Sequence, residues 1–336
     1  MVKRVSKQSG SILKRSIIFL SHWRSLPPYE LLSYILMYAS VPMLAYGIQS
    51  YDIEIVKIIV FTIVALYSGF FAALIWNDIT DVDVDVMSHP DRPIPSGRIS
   101  SSRFFRIALI FSALTFIFAF LVSPLCLALV GCAALFVTFH DKYLKKKVKF
   151  SAYSEIFTPL QWIVVAVFGF IAIWTALPQS SNIVVNFSFL GSISTNIGAF
   201  QQMLILVIFT YFADNAHDLA EGIVDAEGDR IHKVKTYATS FGEKNAARIS
   251  FIWFFISGIF GILLFFKTIL SLVFLIPFLL IWLYIMYNSY KLLKSKKEDM
   301  RRIGAIVGRR GFDYFLFSYN LIFIDVFVQL LYNITA

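Results

Sequence analysis

The sequence predicts an all-α, polytopic membrane protein with nine transmembrane helices. Composition is the first reason. Of 336 residues, 58% are hydrophobic and only 15% charged, with a mean hydropathy of +0.73. A soluble domain is about 45–50% apolar and about 25% charged, so a soluble enzyme is excluded. The second reason is nine apolar runs near bilayer-spanning length, at 31–49, 55–76, 104–122, 125–139, 156–176, 201–216, 249–266, 269–290 and 313–331. The third is the alternation of the basic residues between those runs.

The chain opens with a basic arm, residues 1–28, interrupted by Arg24, Pro27 and Pro28. It lacks the long apolar core of a cleavable signal and reads as a cytosolic segment, with Ile12–Leu20 able to lie on the membrane surface. Residues 29–336 then form one nine-helix domain. Ser123-Pro124 divides the third run from the fourth, because proline ends one helix and starts the next. Of the 30 Lys and Arg, 28 fall in the arm or in the segments after the second, fourth, sixth and eighth runs. Only Lys57 and Lys267 lie on the other side. The positive-inside rule therefore places the N-terminus and those loops in the cytosol and the C-terminus outside. The net charge of +9 is mostly this topology signal and calls for no nucleic acid. Cys126 and Cys132 share one apolar run and point to different faces, so neither a disulfide nor a metal framework follows. The segment 177–200 carries no charged residue and reads as an external cap or loop.

Two acid clusters follow the second and sixth runs. The first is Asn77-Asp78-Ile79-Thr80-Asp81-Val82-Asp83-Val84-Asp85, and the second is Asp225-Ala226-Glu227-Gly228-Asp229. Carboxylates beside a membrane are costly unless a cation needs them. If the second run stays helical past Trp76, then Asn77, Asp81 and Asp85 share a face at i, i+4 and i+8, with Asp78 flanking and Asp83 turned away. Glu221, Asp225 and Asp229 repeat that spacing. Two such rows can hold Mg²⁺ and leave coordination positions for phosphate oxygens, which improves a diphosphate as a leaving group. Hydrated helix-end acids or a cation-transport site are the rival readings. Transporter carboxylates usually interrupt spans at mid-membrane, whereas these follow them.

The loops add cations. His89-Pro90-Asp91-Arg92-Pro93-Ile94-Pro95-Ser96-Gly97-Arg98 is a rigid, non-helical loop that can hold Arg92 and Arg98 over the acids. Ser100 or Ser101 can cap the next helix. His140-Asp141-Lys142-Tyr143-Leu144-Lys145 brings Lys142 and Lys145 to the same face, where topology alone also explains them. Tyr143 offers a π face to a developing carbocation.

Asn77-Asp78-x-x-Asp81-x-x-x-Asp85 followed by Asp91-Arg92-Pro93-Ile94-Pro95-Ser96-Gly97 resembles the first signature of the UbiA superfamily of intramembrane prenyltransferases. Asp225-Ala226-Glu227-Gly228-Asp229-Arg230, then Lys235-Thr236 and Phe241-Gly242, resembles the second. The resemblance covers nearly the whole chain after the arm. It implies helices around a central cavity with a cytosolic cap. It implies that Asn77, Asp78, Asp81, Asp85, Asp225 and Asp229 hold a polyprenyl diphosphate through Mg²⁺, with two ions expected, and that Arg92, Lys142 and Tyr143 assist ionisation. The tail would lie in an apolar tunnel open to membrane lipid. The DRPIPSG loop is shared by archaeal digeranylgeranylglyceryl phosphate synthases and chlorophyll synthases. The archaeal enzymes carry another acid ahead of the second signature, where this chain has Gly222.

The expected reaction is Mg²⁺-dependent transfer of a polyprenyl group, geranylgeranyl first, to a lipophilic acceptor. Geranylgeranylglyceryl phosphate ranks first, then an aromatic or quinone precursor, then a tetrapyrrole. A terpene cyclase on the same scaffold stays open. A CDP-alcohol phosphotransferase needs an Asp-Gly-x-x-Ala-Arg segment that neither cluster has.

Overall fold

The computed structural model describes residues 27–88, 90–144, 148, 150–177, 183–231 and 234–335. Nearly all of the basic arm and Lys145 lie outside the described residues. The helices are α1 Pro28–Tyr46, α2 Ile53–Thr80, α3 Val82–Ser88, α4 Ser101–Val122, α5 Pro124–Phe139, α6 Tyr153–Phe157, α7 Leu160–Ala176, α8 Ile197–Ile231, α9 Tyr237–Phe241, α10 Glu243–Lys267, α11 Leu272–Lys294 and α12 Lys297–Thr335. Six of them, α2, α4, α8, α10, α11 and α12, are long and apolar enough to cross a membrane, while α5 and α7 are apolar but shorter. The chain is thus an all-α, multi-pass membrane protein. Its one sheet among the described residues is an antiparallel hairpin, β1 Ile183–Phe187 with β2 Gly191–Thr195, pairing Ile183 with Thr195. The β-branched run Ile183-Val184-Val185 favours a strand there, so part of the uncharged segment 177–200 is ordered as a hairpin.

Local chemistry sets several boundaries. Asp52 caps α2 by accepting from the amides of Glu54 and Ile55. Ser123 caps α5 through the Cys126 amide, with Pro124 in the first turn, where its missing N–H costs nothing. Ser100 occupies the capping position of α4, but its side chain makes no cap hydrogen bond. Asp325, buried in α12, accepts from the amides of Ser271 (2.6 Å) and Phe274 (2.9 Å) and from Gln329 (2.5 Å). It thereby caps α11 across the far end of the bundle, and a helix N-terminus compensates its charge.

Two boundaries differ from expectation. Helix α2 ends at Thr80, and Asp81 is the break before α3. Helix α8 does not end near residue 216 but continues to Ile231, so the second acid cluster lies inside a helix. The apolar run stops where that helix leaves lipid; its backbone hydrogen bonds do not.

Helix α8 packs on α7, α10 and α12, α12 packs on α1 and α11, and α2 packs on α4 and α1. Aromatic side chains fill the centre. Tyr34 lies 4.4 Å from Phe70 and 6.2 Å from Trp162, ring centre to ring centre, and Trp162 lies 6.1 Å from Phe312. Four helices, α1, α2, α7 and α12, thus meet at one aromatic cluster. Cys126 is buried and Cys132 exposed, and both are free.

A candidate active site above the aromatic cluster

Phe70 precedes Asn77 by seven residues on α2, and His217, whose ring lies 5.2 Å from that of Phe312, precedes Asp225 by eight on α8. At about 1.5 Å per residue, both acid rows start about 11–12 Å above the aromatic cluster. Tyr67 of α2 bonds the Leu31 carbonyl near the start of α1, Glu30 there pairs with Arg309, and Gly308 beside it packs on Glu221 of α8, so both acid rows lie toward the same end of the bundle on different helices.

The first row survives the break in its helix. Asp81 donates its amide to the Asn77 carbonyl (2.9 Å), and Asp85 donates its own to Asp81 (2.8 Å). The i, i+4 spacing of Asn77, Asp81 and Asp85 is kept across the joint. Asp78 and Asp85 are 1% and 2% exposed, whereas Asp83 faces water. Arg92 holds both buried acids. Its Nη1 lies 2.7 Å from each Asp85 carboxylate oxygen and 3.5 Å from Asp78. The Arg92 loop is braced by its own backbone, with Ser96 donating to Arg92 (3.0 Å), Gly97 to Ile94 (3.0 Å) and Ile99 to Pro93 (3.2 Å). Arg98 turns onto this loop, donating to Ser96 Oγ (3.0 Å) and the Asp91 carbonyl, and remains exposed. The structure therefore brings Arg92 to the acids and uses Arg98 to close the loop. Tyr143 lies in a π-helical turn, His140–Leu144, with its ring half-exposed against Phe139 at 5.5 Å. Lys142 belongs to the same turn.

The second row stands on an unbroken helix. Asp225 is exposed, Asp229 half-buried, and the Asp229 carbonyl accepts from Val234 at 2.9 Å, closing the chain after the helix. Arg230 pairs with Glu243 (3.1 Å) on the outer side.

Several further groups at this end escaped the sequence reading. Glu155 on α6 is buried, and one of its oxygens accepts the Tyr237 amide at 2.6 Å. Burial pushes its carboxyl up to about 7; the Tyr237 hydrogen bond opposes that shift and the Asp229 charge adds to it. The Asn215 amide donates to the Glu155 carbonyl at 2.8 Å and ties α6 to α8. Deeper on α8, Asp214, His217 and Asp218 continue the acid row inward. On the opposite wall Arg309 bonds Glu30 and the Tyr29 hydroxyl, with Asp313 at 3.4 Å. The inward acids had a signal, since Asp214 and Asp218 keep the i, i+4 period. Glu155 and the Glu30–Arg309 pair had none, because their partners are 82 and 279 residues away.

The predicted ligands are all oxygen donors: the Asn77 amide and the carboxylates of Asp78, Asp81, Asp85, Asp225 and Asp229. That set suits a hard cation such as Mg²⁺. Asp78 and Asp85 meet at the Arg92 guanidinium, so the charged groups of the first row converge at one place.

Apolar helices that gather their carboxylates at one end, above an aromatic centre, define an integral membrane enzyme for a substrate with an anionic head and a greasy body. The chain belongs to the UbiA prenyltransferase family, whose family model matches residues 35–307. The digeranylgeranylglyceryl phosphate synthase of Sulfolobus acidocaldarius is 27% identical over 241 residues, covering 68% of this chain and 75% of that one. A solved digeranylgeranylglyceryl phosphate synthase structure matches with a TM-score of 0.59 at 17% identity, over 92% of this chain and 95% of its own. A UbiA homolog from Archaeoglobus fulgidus, bound to DMAPP and Mg²⁺, matches with a TM-score of 0.53 at 16% identity, over 88% and 98%. At such identities the two structures establish the fold.

Proposed function

We propose that this prenyltransferase moves a polyprenyl group, geranylgeranyl first, from its diphosphate to a lipophilic acceptor, with geranylgeranylglyceryl phosphate the first candidate. The observation that carries the reading is the pair of acid rows at one end of the bundle, beyond the aromatic cluster. In this reading the anionic diphosphate lies toward the acid rows and its apolar chain toward the rings below. The curated relatives named as digeranylgeranylglyceryl phosphate synthases support this acceptor.

Asn77, Asp78, Asp81 and Asp85 on one wall, with Asp225 and Asp229 on the other, are the residues for two Mg²⁺ ions. When bound, Mg²⁺ supplies the positive charge that a departing diphosphate needs. Arg92 holds the buried Asp85 and Asp78 in place and presents its remaining N–H groups to phosphate oxygens. Lys142 and Lys145 are the further cations proposed for the diphosphate. Tyr34, Phe70, Trp162 and Phe312 exclude water and offer π faces to an allylic cation, a role Tyr143 shares from the rim. The acceptor oxygen then bonds to C1, and its proton leaves to a carboxylate or water. In the membrane, nine spans place the arm and the acid rows in the cytosol and the C-terminus outside, with residues 29–336 acting as one domain.

The test is metal-dependent release of diphosphate from geranylgeranyl diphosphate by the purified protein, with geranylgeranylglyceryl phosphate as acceptor. Asp81→Ala and Asp229→Ala are each expected to lower release by about a hundredfold or more with folding intact, the scale of losing one group preorganised for developing charge. Activity in either variant at the wild-type level overturns the site. Release without an acceptor-linked product supports a cyclase instead.

A further inference from the structure

We propose that His217, Asp218 and Glu221 form a separate site for a divalent first-row transition ion such as Mn²⁺ or Zn²⁺, one to two helical turns below Asp225. This inference does not depend on the prenyl-transfer reading.

The three side chains each place one ligand atom within 4.8 Å of the others. His217 is 5% exposed, and its Nε2 lies 2.9 Å from Asp214 Oδ1. A carboxylate accepts, so Nε2 donates and carries the ring proton. In the neutral ring Nδ1 is then left with a lone pair, whereas in the protonated ring it pairs with Asp218; a bound cation takes the place of that second proton. Nδ1 is buried without a hydrogen-bond partner among the described residues, and it faces Asp218 at 3.5 Å and Glu221 at 3.9 Å. Those separations are too long for hydrogen bonds and, in the neutral ring, bring acceptor against acceptor. A cation between them satisfies all three. The Asp214–His217 contact is the carboxylate support that metal-bound imidazoles generally have. Nitrogen with two carboxylate oxygens favours a transition ion over Mg²⁺, which prefers oxygen alone.

The packing holds the ligands in place. Gly308 and Gly311 let α12 approach the face of α8 that bears them; a Cβ on Gly311 would come within 2.7 Å of His217 Cβ, and one on Gly308 would strike Glu221 Cγ. The Phe312 ring closes the apolar side of the site. Asp225 and Asp229 lie four and eight residues beyond Glu221, so the two sites are adjacent but use different side chains.

The probe is Mn²⁺ bound to the full-length protein in detergent, read by electron spin-echo modulation. The oxygen-only acids give no coupling to a ligand nitrogen. The expected result is modulation from a directly bound imidazole nitrogen that persists in an Asp81→Asn/Asp229→Asn double variant and disappears in His217→Gln. Zn²⁺ is expected to displace that signal, and Mg²⁺ in about a hundredfold excess to leave it. Glu221→Gln is expected to weaken Mn²⁺ binding at this site at least tenfold, which covers the case of a His217 variant that does not fold. No imidazole modulation in the Mn²⁺-loaded wild type, or its survival in folded His217→Gln, overturns the site and leaves His217 as a protonated ion-pair partner.

Discussion

The two acid rows reach the same end of the bundle by opposite means. The first is built across a broken helix, with Asp78 and Asp85 buried against Arg92. The second rises on a helix of 35 residues without interruption, with Asp225 exposed and Asp229 half-buried. One row is held by an internal cation on a braced loop. The other is held by backbone continuity and by close packing of α12. The same i, i+4 pattern in sequence thus hides two electrostatic environments, because spacing fixes the face of a helix but not what packs against it.

The sharpest way to break this contrast is to remove one arginine from each row. Arg92→Ala leaves two buried carboxylates without that cation and is expected to destabilise the protein by about 3 kcal/mol, the low end for a broken buried pair, since Arg92 is 21% exposed. Arg230→Ala removes a half-exposed pair with Glu243 and is expected to cost under about 1 kcal/mol. Denaturant unfolding of the two variants measures the difference; equal losses would erase the distinction. Next comes the packing of the second row. Gly311→Ala forces a methyl against Phe254 and His217 and is expected to cost about 1–3 kcal/mol by thermal unfolding.

A smaller effect is expected from pH. Burial raises the Glu155 carboxyl to about 7, so the folded protein holds that proton more tightly than the unfolded chain. Its stabilising contribution is complete below the ordinary carboxylate range and is lost as pH rises through about 7. Unfolding measured from pH 5 to pH 8 should show this loss in the wild type and less of it in Glu155→Gln. A Glu155→Gln profile as steep as the wild type's removes Glu155 from the account. The smallest effect belongs to Asp83→Ala. Asp83 faces water beside the first row, and the variant is expected to keep diphosphate release and to change stability by no more than about 0.5 kcal/mol.

Much of this architecture was legible from the chain. Apolar runs marked the long helices because lipid demands length and hydrophobicity together. Ser123-Pro124 marked a junction because proline and a capping hydroxyl each have one local meaning. The family resemblance drawn from the acids and the DRPIPSG loop agrees with the match over residues 35–307. The end of α8 was not legible, because hydropathy reports the lipid boundary and α8 crosses it without a stop signal. Arg92 and Arg98 looked alike in sequence. Only the fold shows that one reaches the acids and the other closes the loop, a choice made by a few backbone hydrogen bonds. Glu155 was invisible, because its neighbours come from distant segments.

The joint at Asp81 carries a mechanical consequence. A continuous helix transmits tilt and twist along its whole length, so any motion at the watery end of α8 is felt among its lipid-facing turns. At Asp81 the amide ladder passes through a single non-helical residue before α3 begins. The short α3 and the proline loop behind it therefore take a direction of their own, while α2 keeps its packing on α1 and α4. In the proposed reaction the first row thus spans the joint, with Asn77 and Asp78 on the helix before it and Asp85 on the helix after it, and Arg92 ties the two sides together.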